Sequence, residues 1–449
     1  MIDISVKEAA AIVGGTLCGE NNADASLNGV VIDSRLVVPG SMFAALKGEK
    51  TDGHEYMEKA FSLGASCCLA ERVPENVTGC VILVPDVRAA LAVLAADWRS
   101  RFTIPVIGIS GSVGKTTAKE MIASVLAEKY KVLKTEKNLN NELGVPLTLF
   151  RLGREHTAAV VEMGISDFGE MTRLTAMVQP TMAVYTVIGF AHIEHLRDLA
   201  GVLRAKTEMV SFLPEDGTVF LNADDAYLAS YACPRRAILY GTAENAAVRA
   251  ENVTEDLKSG LSCDIVCGER RIALSVPAYG RHVVYAALEG AAVGMEMGLS
   301  DAQIAAGAAK FMTVGRRANI CDTGFLTLID DCYNANPTSV KCGIDSLADL
   351  PGRKVCVLGD MLEMGEEKEM VHASVGEYAA GHGVTLLITV GELSRHTALG
   401  AKDIQTAHFD TNAEAIKALP KLLCKGDTVL VKASNYMRFD EISEAIKKL

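Results

Sequence analysis

The sequence predicts an α/β protein built from three domains. Its 449 residues are enough for roughly three domains of about 150 residues each. Apolar runs of strand length alternate with helical stretches in two separate series, a pattern typical of parallel sheets covered by helices on both faces. A shorter mixed segment precedes both series. We therefore expect domains at residues 1–84, 85–314 and 315–449.

The first segment predicts a small mixed α/β domain. Its strands are expected at three apolar runs, residues 30–33, 41–46 and 81–85. Residues 55–65 have helical spacing and end at Gly64, a residue type that commonly terminates helices. Residues 87–102 then place apolar side chains at helical intervals with charges on one side, which indicates an amphipathic helix leading into the second domain.

The two alternating series predict the larger and smaller of the remaining domains. In the central series the strands are expected at residues 105–110, 157–164 and 181–189. After Gly315-Arg316-Arg317 they are expected at residues 325–330, 354–360, 385–391 and 427–434. We expect a central domain with a mostly parallel sheet and a C-terminal Rossmann-like α/β domain.

Composition and charge exclude several kinds of protein. The 44 Lys and Arg against 56 Asp and Glu leave a net charge of −12, which provides no positive surface for coating nucleic acid or an anionic membrane. No uncharged apolar run reaches the roughly 18 residues of a membrane span, and the first residues lack a secretory pattern. The twelve cysteines lie mostly in apolar runs without metal-site spacing, as expected of reduced structural thiols. We expect a cytoplasmic monomer.

The most specific motif lies between a strand and a helix of the central series. It comprises Gly111, Ser112, Val113, Gly114, Lys115, Thr116 and Thr117. Glycines let backbone N–H groups turn toward phosphate oxygens, and the helix N-terminus adds its positive dipole end. Lys115 suits the β- and γ-phosphates of a nucleotide, and the Thr116 hydroxyl suits Mg²⁺. The strict pattern starts with a further glycine where this chain has Ile109, so this shortened variant predicts nucleotide binding.

Two polar residues follow apolar strands at the sheet edge where ligands bind in open parallel sheets. Glu162 ends one strand and can complete a Mg²⁺ shell together with nucleotide phosphates. His192 comes just past another. Taken alone, Glu162 is as compatible with a surface acid that starts a loop as with a ligand. A lone histidine such as His192 is more often a solvated or capping residue than a ligand. Lys206 falls on a predicted helix, and its spacing alone indicates a surface lysine. The nearby phosphate loop is what favours a functional role for the carboxylate and the histidine.

At these residues the chain resembles the Mur ligases, the ATP-dependent amide-forming ligases of bacterial peptidoglycan precursor synthesis. It is most similar to the branch that adds D-alanyl-D-alanine to UDP-N-acetylmuramoyl-tripeptide. The similar blocks are residues 32–56, 111–121, 137–149, 161–164, 191–196, 330–339 and 358–372. The branch that adds the third residue carries an Asp-Asn-Pro-Arg box, and no Asp-Asn-Pro occurs in this sequence.

The resemblance implies roles for particular side chains. The implied catalytic residues are Lys115, Glu162, His192 and Lys206. The implied Mg²⁺ ligands are Thr116, Glu162, His192 and Lys206, the last as a carbamate, because an ammonium cannot ligate a cation and a carbamate oxygen can. The region implied to hold the uridine nucleotide-sugar comprises Ser34, Arg35, Leu46, Lys47, Asp52 and His54. The precursor's path would be lined by Asn140 and Asn141. The C-terminal residues implied to close over ATP are Arg316, Asp331 and Asn334.

The implied reaction uses ATP and Mg²⁺ to join D-alanyl-D-alanine to the UDP-N-acetylmuramoyl-tripeptide through an acyl phosphate, giving ADP, phosphate and the pentapeptide. Three alternatives stay open. Another Mur-type ligase would differ in its acceptor. A phosphate-loop NTPase that drives a conformational switch would leave the 32–56 block unexplained. A non-catalytic relative would bind the nucleotide-sugar without ATP turnover.

Three positions depart from the family pattern. Val187 replaces an Asn of a Thr-Asn-Ile run, Ala286 replaces an Asn that faces adenine, and Asn435 replaces a common Arg. Loss of one amide contact to adenine costs about 1 kcal/mol. We therefore expect weaker selectivity for the base and intact phosphate chemistry.

Overall fold

The computed structural model describes residues 2–19, 22–48, 50–75, 77–257, 259–280 and 282–449. These residues form three β-sheets, each flanked by helices. The predicted fold class, mixed α/β with mostly parallel sheets, is confirmed. No helix among the described residues combines the length and the apolar character needed to cross a bilayer.

The first sheet belongs to the small N-terminal unit. Its strands are β1 Thr16–Cys18, β2 Gly29–Val31, β3 Ser41–Ala44, β4 Cys67–Ala70 and β5 Val81–Leu83. Its helices are α1 Val6–Val13 and α2 Met57–Ser62, with α3 Val87–Ser100 leading to the next unit. The order is β1-β5-β4-β3-β2, and only β1 runs antiparallel to its neighbour. The predicted strands are confirmed in shorter form, and the predicted helix at 55–65 begins with a 3₁₀ turn, Gly53–Tyr56.

The central sheet has nine strands. They are β6 Val106–Ser110, β7 Val132–Lys134, β8 Ala158–Glu162, β9 Met182–Tyr185, β10 Thr218–Asn222, β11 Arg236–Gly241, β12 Val248–Asp256, β13 Gly260–Cys267 and β14 Arg270–Val276. Their order is β14-β13-β12-β11-β10-β9-β6-β8-β7. The sheet is parallel as predicted, except that β12, β13 and β14 form an antiparallel meander. Our sequence reasoning missed this meander, whose last strand alternates exposed and buried side chains, a pattern typical of a half-solvated antiparallel sheet.

Helices cover both faces of the central sheet. They are α4 Lys115–Leu126, α5 Gly144–Leu149, α6 Glu170–Val178, α7 Ile193–Leu196, α8 Leu199–Thr207, α9 Ala226–Ala229, α10 Val283–Glu296 and α11 Asp301–Ala309. Helices α4 and α10 pack closely, because a Cβ on Gly290 would lie 2.8 Å from Met121 Cγ. Glycine at that point therefore fixes α10 close against the helix that follows the phosphate loop.

The C-terminal sheet has six strands. They are β15 Asn319–Asp322, β16 Thr327–Asp330, β17 Lys354–Gly359, β18 Leu386–Val390, β19 Gln405–Phe409 and β20 Thr428–Lys432. The helices are α12 Pro337–Ala348, α13 Lys368–Gly381, α14 Ser394–Gly400, α15 Asn412–Leu422 and α16 Asp440–Ile446. The order is β15-β16-β20-β17-β18-β19, parallel apart from the antiparallel edge strand β15. The four predicted strands are confirmed, and β15 and β19 are additions.

Candidate active site

The phosphate loop has the strand–turn–helix geometry that its sequence predicts. Strand β6 ends at Ser110, and α4 begins at Lys115. Gly114, at the N-cap, has φ 86° and Gly111 has φ 148°. A Cβ on Gly111 would lie 1.9 Å from Thr186 Oγ1, so the loop needs glycine there for both space and backbone conformation. The Lys115 Nζ donates to the Gly111 carbonyl at 2.6 Å, which places the ammonium over the loop.

Glu162 lies beside this loop, at the carboxyl end of β8. Its Oε2 accepts a 2.9 Å hydrogen bond from the Thr116 hydroxyl, and its Oε1 accepts one of 2.8 Å from the Asn140 amide. Its own backbone N–H donates to Thr135 Oγ1 at 3.0 Å. The carboxylate is 2% exposed. The structure thus brings together three residues that the sequence assigned to phosphate, metal and precursor contacts.

A cavity of about 1090 Å³ opens over the loop and Glu162. Several residues that line the cavity come from the C-terminal unit, among them Arg317, Asp331, Asn334 and Lys432. Inside this wall the Lys432 Nζ donates to Asp331 Oδ2 at 2.6 Å and to the Asn334 carbonyl at 3.1 Å. Parallel sheets of both units therefore meet at one ligand-sized space.

Two cations, Lys115 and Arg317, act on each other at the phosphate loop. Burial lowers the pKa of Lys115, Arg317 lowers it further, and Glu162 opposes both by raising it. Arg317 also lies over the Tyr333 ring, with 3.8 Å between its guanidinium carbon and the ring centroid. Because the two cations repel each other, a polyphosphate between them would relieve that repulsion.

His192 lies at the cavity rim, where the central and C-terminal units touch. Its backbone has φ 55°, an uncommon conformation for a residue other than glycine. The ring Nδ1 lies 2.6 Å from Glu363 Oε2, as an ion-pair contact without hydrogen-bond geometry. The side-chain contact and the backbone strain both suit a residue held in a functional position.

Lys206 lies behind the loop on α8, 1% exposed. Among the described residues its Nζ has no hydrogen-bond or ion-pair partner. Burial lowers its pKa well below the usual value, and Lys115 lowers it further. A neutral amine is the form that adds CO₂ to give a carbamate, and a carbamate would place an anion beside Lys115. The oxygen donors of Thr116, Glu162 and a carbamoylated Lys206 thus fit Mg²⁺, which prefers oxygen ligands, whereas His192 would offer a ring nitrogen.

The structure does not bring every predicted residue to this cavity. Arg316 points elsewhere and pairs with Asp330 at 2.7 Å and with Glu444 at 2.8 Å, while the adjacent Arg317 lines the cavity. Asn141 lines it but also caps α5, because its Oδ1 accepts from the Gly144 amide.

The residues predicted to hold the uridine nucleotide-sugar lie in the N-terminal unit, away from the cavity. They are Ser34, Arg35, Leu46, Lys47, Asp52 and His54. Asp52 accepts from Arg72 at 2.8 Å and lies 2.6 Å from the His54 Nδ1. The His54 Nε2 accepts from the Glu71 amide. The exposed guanidinium of Arg35 pairs with Asp33.

Of the three departures, two line the cavity and one does not. Val187 and Ala286 are wall residues, and the Val187 carbonyl accepts from the Ser112 amide at 2.8 Å. Asn435 instead donates to the Tyr333 carbonyl. Our sequence reasoning missed Arg317 and Lys432 as cavity residues. The doubled arginine at 316–317 was the available signal for the first.

Together, the phosphate loop and the cavity between the central and C-terminal units define a nucleotide-dependent enzyme. Family models match most of the chain: the Mur ligase family catalytic domain at residues 26–99, the Mur ligase middle domain at 109–294 and the Mur ligase glutamate ligase domain at 315–435. The chain belongs to the Mur ligase family.

Relatives and solved structures agree over the full length. UDP-N-acetylmuramoyl-tripeptide--D-alanyl-D-alanine ligase of Bacillus subtilis is 35% identical, with 98% of each chain covered. The Escherichia coli enzyme of the same name is 34% identical, covering 100% of this chain and 99% of its own. A MurF crystal structure from Acinetobacter baumannii has a TM-score of 0.92 at 27% identity and covers 100% of this chain and 99% of its own. A Thermotoga maritima MurF structure in complex with ADP has a TM-score of 0.83 at 26% identity, covering 94% and 97%.

Proposed function

We propose that this protein is the ligase that joins D-alanyl-D-alanine to UDP-N-acetylmuramoyl-tripeptide with ATP, giving ADP, phosphate and the UDP-N-acetylmuramoyl-pentapeptide of peptidoglycan synthesis. The observation that carries the proposal is the cavity in which Lys115, Thr116, Glu162 and Asn140 meet the wall formed by Asp331 and Asn334. Full-length relatives that carry this activity in their names support it.

The first chemical step brings two anions together. A carboxylate oxygen of the tripeptide attacks the γ-phosphorus of ATP, forms an acyl phosphate and releases ADP. Because positive charge must offset both reactants, Lys115 at the loop and Arg317 from the opposite wall would stabilise the transferring phosphoryl group. Asn140, which donates to Glu162, would orient the precursor's carboxylate next to that group.

The second step forms the amide. The amine of D-alanyl-D-alanine attacks the acyl carbon, a tetrahedral intermediate forms, and phosphate leaves with the C–O bonding pair while the amine loses a proton. An acyl phosphate is open to hydrolysis, so water must be excluded. The contact of Glu363 of the C-terminal unit with His192 supports a closure that would exclude water. Closure by residues 315–449 about Gly315 is part of the proposal.

Mg²⁺ would be held by Thr116, Glu162, His192 and the carbamate of Lys206. When bound, it would neutralise phosphate charge and orient the γ-phosphoryl group for in-line attack. The proposed domain roles follow the three sheets: residues 1–84 hold the nucleotide-sugar, 85–314 bind ATP, and 315–449 bind the dipeptide.

The test is the identity of the product. In separate reactions the purified protein is incubated with ATP, Mg²⁺ and the nucleotide-sugar carrying a one-, two- or three-residue peptide, each with an equimolar mixture of D-alanyl-D-alanine, D-glutamate, L-lysine and meso-diaminopimelate. Mass spectrometry is expected to find only the nucleotide-pentapeptide. A product that carries a single added amino acid would identify a different ligase of the family. Nucleotide-sugar binding without any product would identify a non-catalytic relative.

A further inference from the structure

The side of the cavity formed by α10, which we call the α10 arm, includes a buried acid that the proposed chemistry does not use. Glu289 lies on α10, is 2% exposed and lines the cavity. Ala286 lies one helical turn earlier and lines the same arm, but it presents only a methyl group. Since α10 is packed tightly on α4, the position of Glu289 relative to the phosphate loop is fixed by the fold.

This arm has the character of a nucleobase pocket. Its walls include Ile188, Ala226, Tyr285 and Ala286, which offer apolar faces to a flat ring. The polar side chains Asn222, Asp224 and Asp225 line the same side of the cavity. The opposite side of the phosphate loop is polar, with Asn138, Asn140, Asn141 and Glu142. With the phosphates held at the loop, the base of a nucleotide is accommodated by the α10 arm and the precursor by the polar side.

The hydrogen bonds around Glu289 indicate that its carboxyl group is neutral. The Tyr240 hydroxyl lies 2.6 Å from Glu289 Oε1 and 2.8 Å from the Tyr185 carbonyl oxygen. A hydroxyl has a single hydrogen to donate. Both short contacts can be hydrogen bonds if Glu289 carries a proton on Oε1. The Glu289 O–H then donates to the Tyr240 oxygen, and the Tyr240 O–H donates to the Tyr185 carbonyl.

The surroundings of Glu289 also favour the neutral form of its carboxyl group. Burial raises the pKa of Glu289 to about 8, against the opposing effect of the Tyr240 hydroxyl. Burial also raises the pKa of Tyr240, as do the nearby Glu289, Asp225 and Tyr285. In the neutral acid Oε1 is occupied by Tyr240, so Oε2 is the oxygen left to meet a ligand, and it is a hydrogen-bond acceptor.

We propose that Glu289 Oε2 accepts a hydrogen bond from the exocyclic amino group of the bound nucleobase and thereby selects a 6-aminopurine nucleotide over a 6-oxopurine nucleotide. The 6-amino group of adenine is a donor, whereas guanine and hypoxanthine carry an acceptor oxygen at that position. A 6-oxopurine would place its acceptor oxygen against the acceptor Glu289 Oε2, and both would lack a hydrogen-bond donor in a buried pocket. The pocket would therefore bind a 6-oxopurine nucleotide more weakly. The inference rests on ATP use in the proposed function and adds a residue that reads the base.

The test compares three nucleoside diphosphates that differ at position 6: ADP, purine riboside diphosphate, which has no substituent, and IDP, which has an oxygen. Their dissociation constants are measured by calorimetry for the full-length protein. The three variants are Glu289→Gln, Glu289→Ala and Glu289→Met. Gln keeps the accepting oxygen and supplies an N–H to Tyr240, so it copies the neutral acid. Met fills similar space without an acceptor.

We expect the effect of each variant on nucleotide affinity to depend on the substituent at position 6 of the purine. Glu289→Met and Glu289→Ala weaken ADP binding about five- to tenfold and leave purine riboside diphosphate within about twofold. IDP binds no worse than to the unaltered protein, and Glu289→Gln retains the preference for ADP. In turnover assays the KM for ATP rises while kcat stays within about twofold.

Two results would overturn the inference: equal weakening of all three ligands by Glu289→Met, or a Glu289→Gln variant that loses the preference as Glu289→Met does. Thermal unfolding of each variant shows whether the protein is folded, and the Gln variant remains informative if the Ala variant is not. Binding of ADP does not require ligation. A protein that binds ADP selectively through Glu289 but makes no pentapeptide would refute the proposed function alone.

Discussion

Replacing Lys115 with alanine removes the cation that the phosphate loop holds closest to the transferred phosphoryl group. The Lys115 ammonium lies within the loop, 2.6 Å from the Gly111 carbonyl. At about 3 Å from a phosphate oxygen and an effective dielectric of about 20, one such charge pair is worth at most about 5 kcal/mol. Part of this is already present in the bound ground state, so about 3–4 kcal/mol is lost from the transition state, or roughly 10²- to 10³-fold in kcat.

The assay separates this loss from a folding defect. Phosphate release is followed with saturating ATP, Mg²⁺, nucleotide-tripeptide and D-alanyl-D-alanine. We expect kcat of Lys115→Ala to fall at least about 10²-fold, with a smaller rise in the KM for ATP. The matched control, Lys131→Ala, alters an exposed lysine just beyond the same helix and is expected to retain full activity. A folded Lys115→Ala protein with kcat within about threefold of the unaltered enzyme would show that Lys115 does not stabilise the transferring phosphoryl group.

Three further predictions concern the loop, a buried ion pair and a buried histidine. Gly111→Ala places a Cβ 1.9 Å from Thr186 Oγ1, at a backbone conformation that alanine rarely adopts. Calorimetry should find that ADP binds at least about tenfold more weakly. An unchanged affinity for ADP would contradict the loop geometry. Arg353→Ala leaves the Asp427 carboxylate, which is 2% exposed, without its two hydrogen bonds of 2.9 and 2.7 Å from the guanidinium group. Urea unfolding should show that the free energy of unfolding falls by about 2–3 kcal/mol. A fall of less than about 0.5 kcal/mol would mean that the pair contributes little to stability. Burial lowers the pKa of His372, so the folded state keeps the ring neutral while the unfolded chain takes up a proton below pH about 6.5. The free energy of unfolding should therefore fall as the pH drops from 7 to 5, by up to about 1.4 kcal/mol per pH unit for this group. The slope should be shallower in His372→Gln.

The fold was predictable where the sequence pattern has one physical origin. Strands buried on both faces, such as β8, are continuous apolar runs, and Gly-rich turns mark where they end. The meander of β12 to β14 was missed because its strands are half-solvated and mix charges with apolar residues. Short edge strands such as β15 lack a run long enough to recognise.

The site was predictable only in part, for a related reason. The phosphate loop and Glu162 follow from spacing along one strand–turn–helix unit. Which of Arg316 and Arg317 enters the cavity depends on the pairing of Arg316 with Asp330 and Glu444, and those partners come from distant parts of the chain.

The base pocket shows the same limit. Ala286 led us to expect weakened base selectivity, and that prediction stays untested. An acid one turn later, Glu289, could be recognised only once the fold placed it against Tyr240. A single position in a helix therefore says little about recognition until its neighbours in space are known.

The most direct test of the central claim is the dependence of phosphate release on each component of the reaction. ATP, Mg²⁺, UDP-N-acetylmuramoyl-tripeptide and D-alanyl-D-alanine are supplied together and then omitted one at a time. Phosphate release is expected only with all four components, in an amount equal to the nucleotide-pentapeptide formed. Sustained release from ATP and Mg²⁺ alone would contradict this expectation and indicate an NTPase in which hydrolysis is not coupled to amide formation.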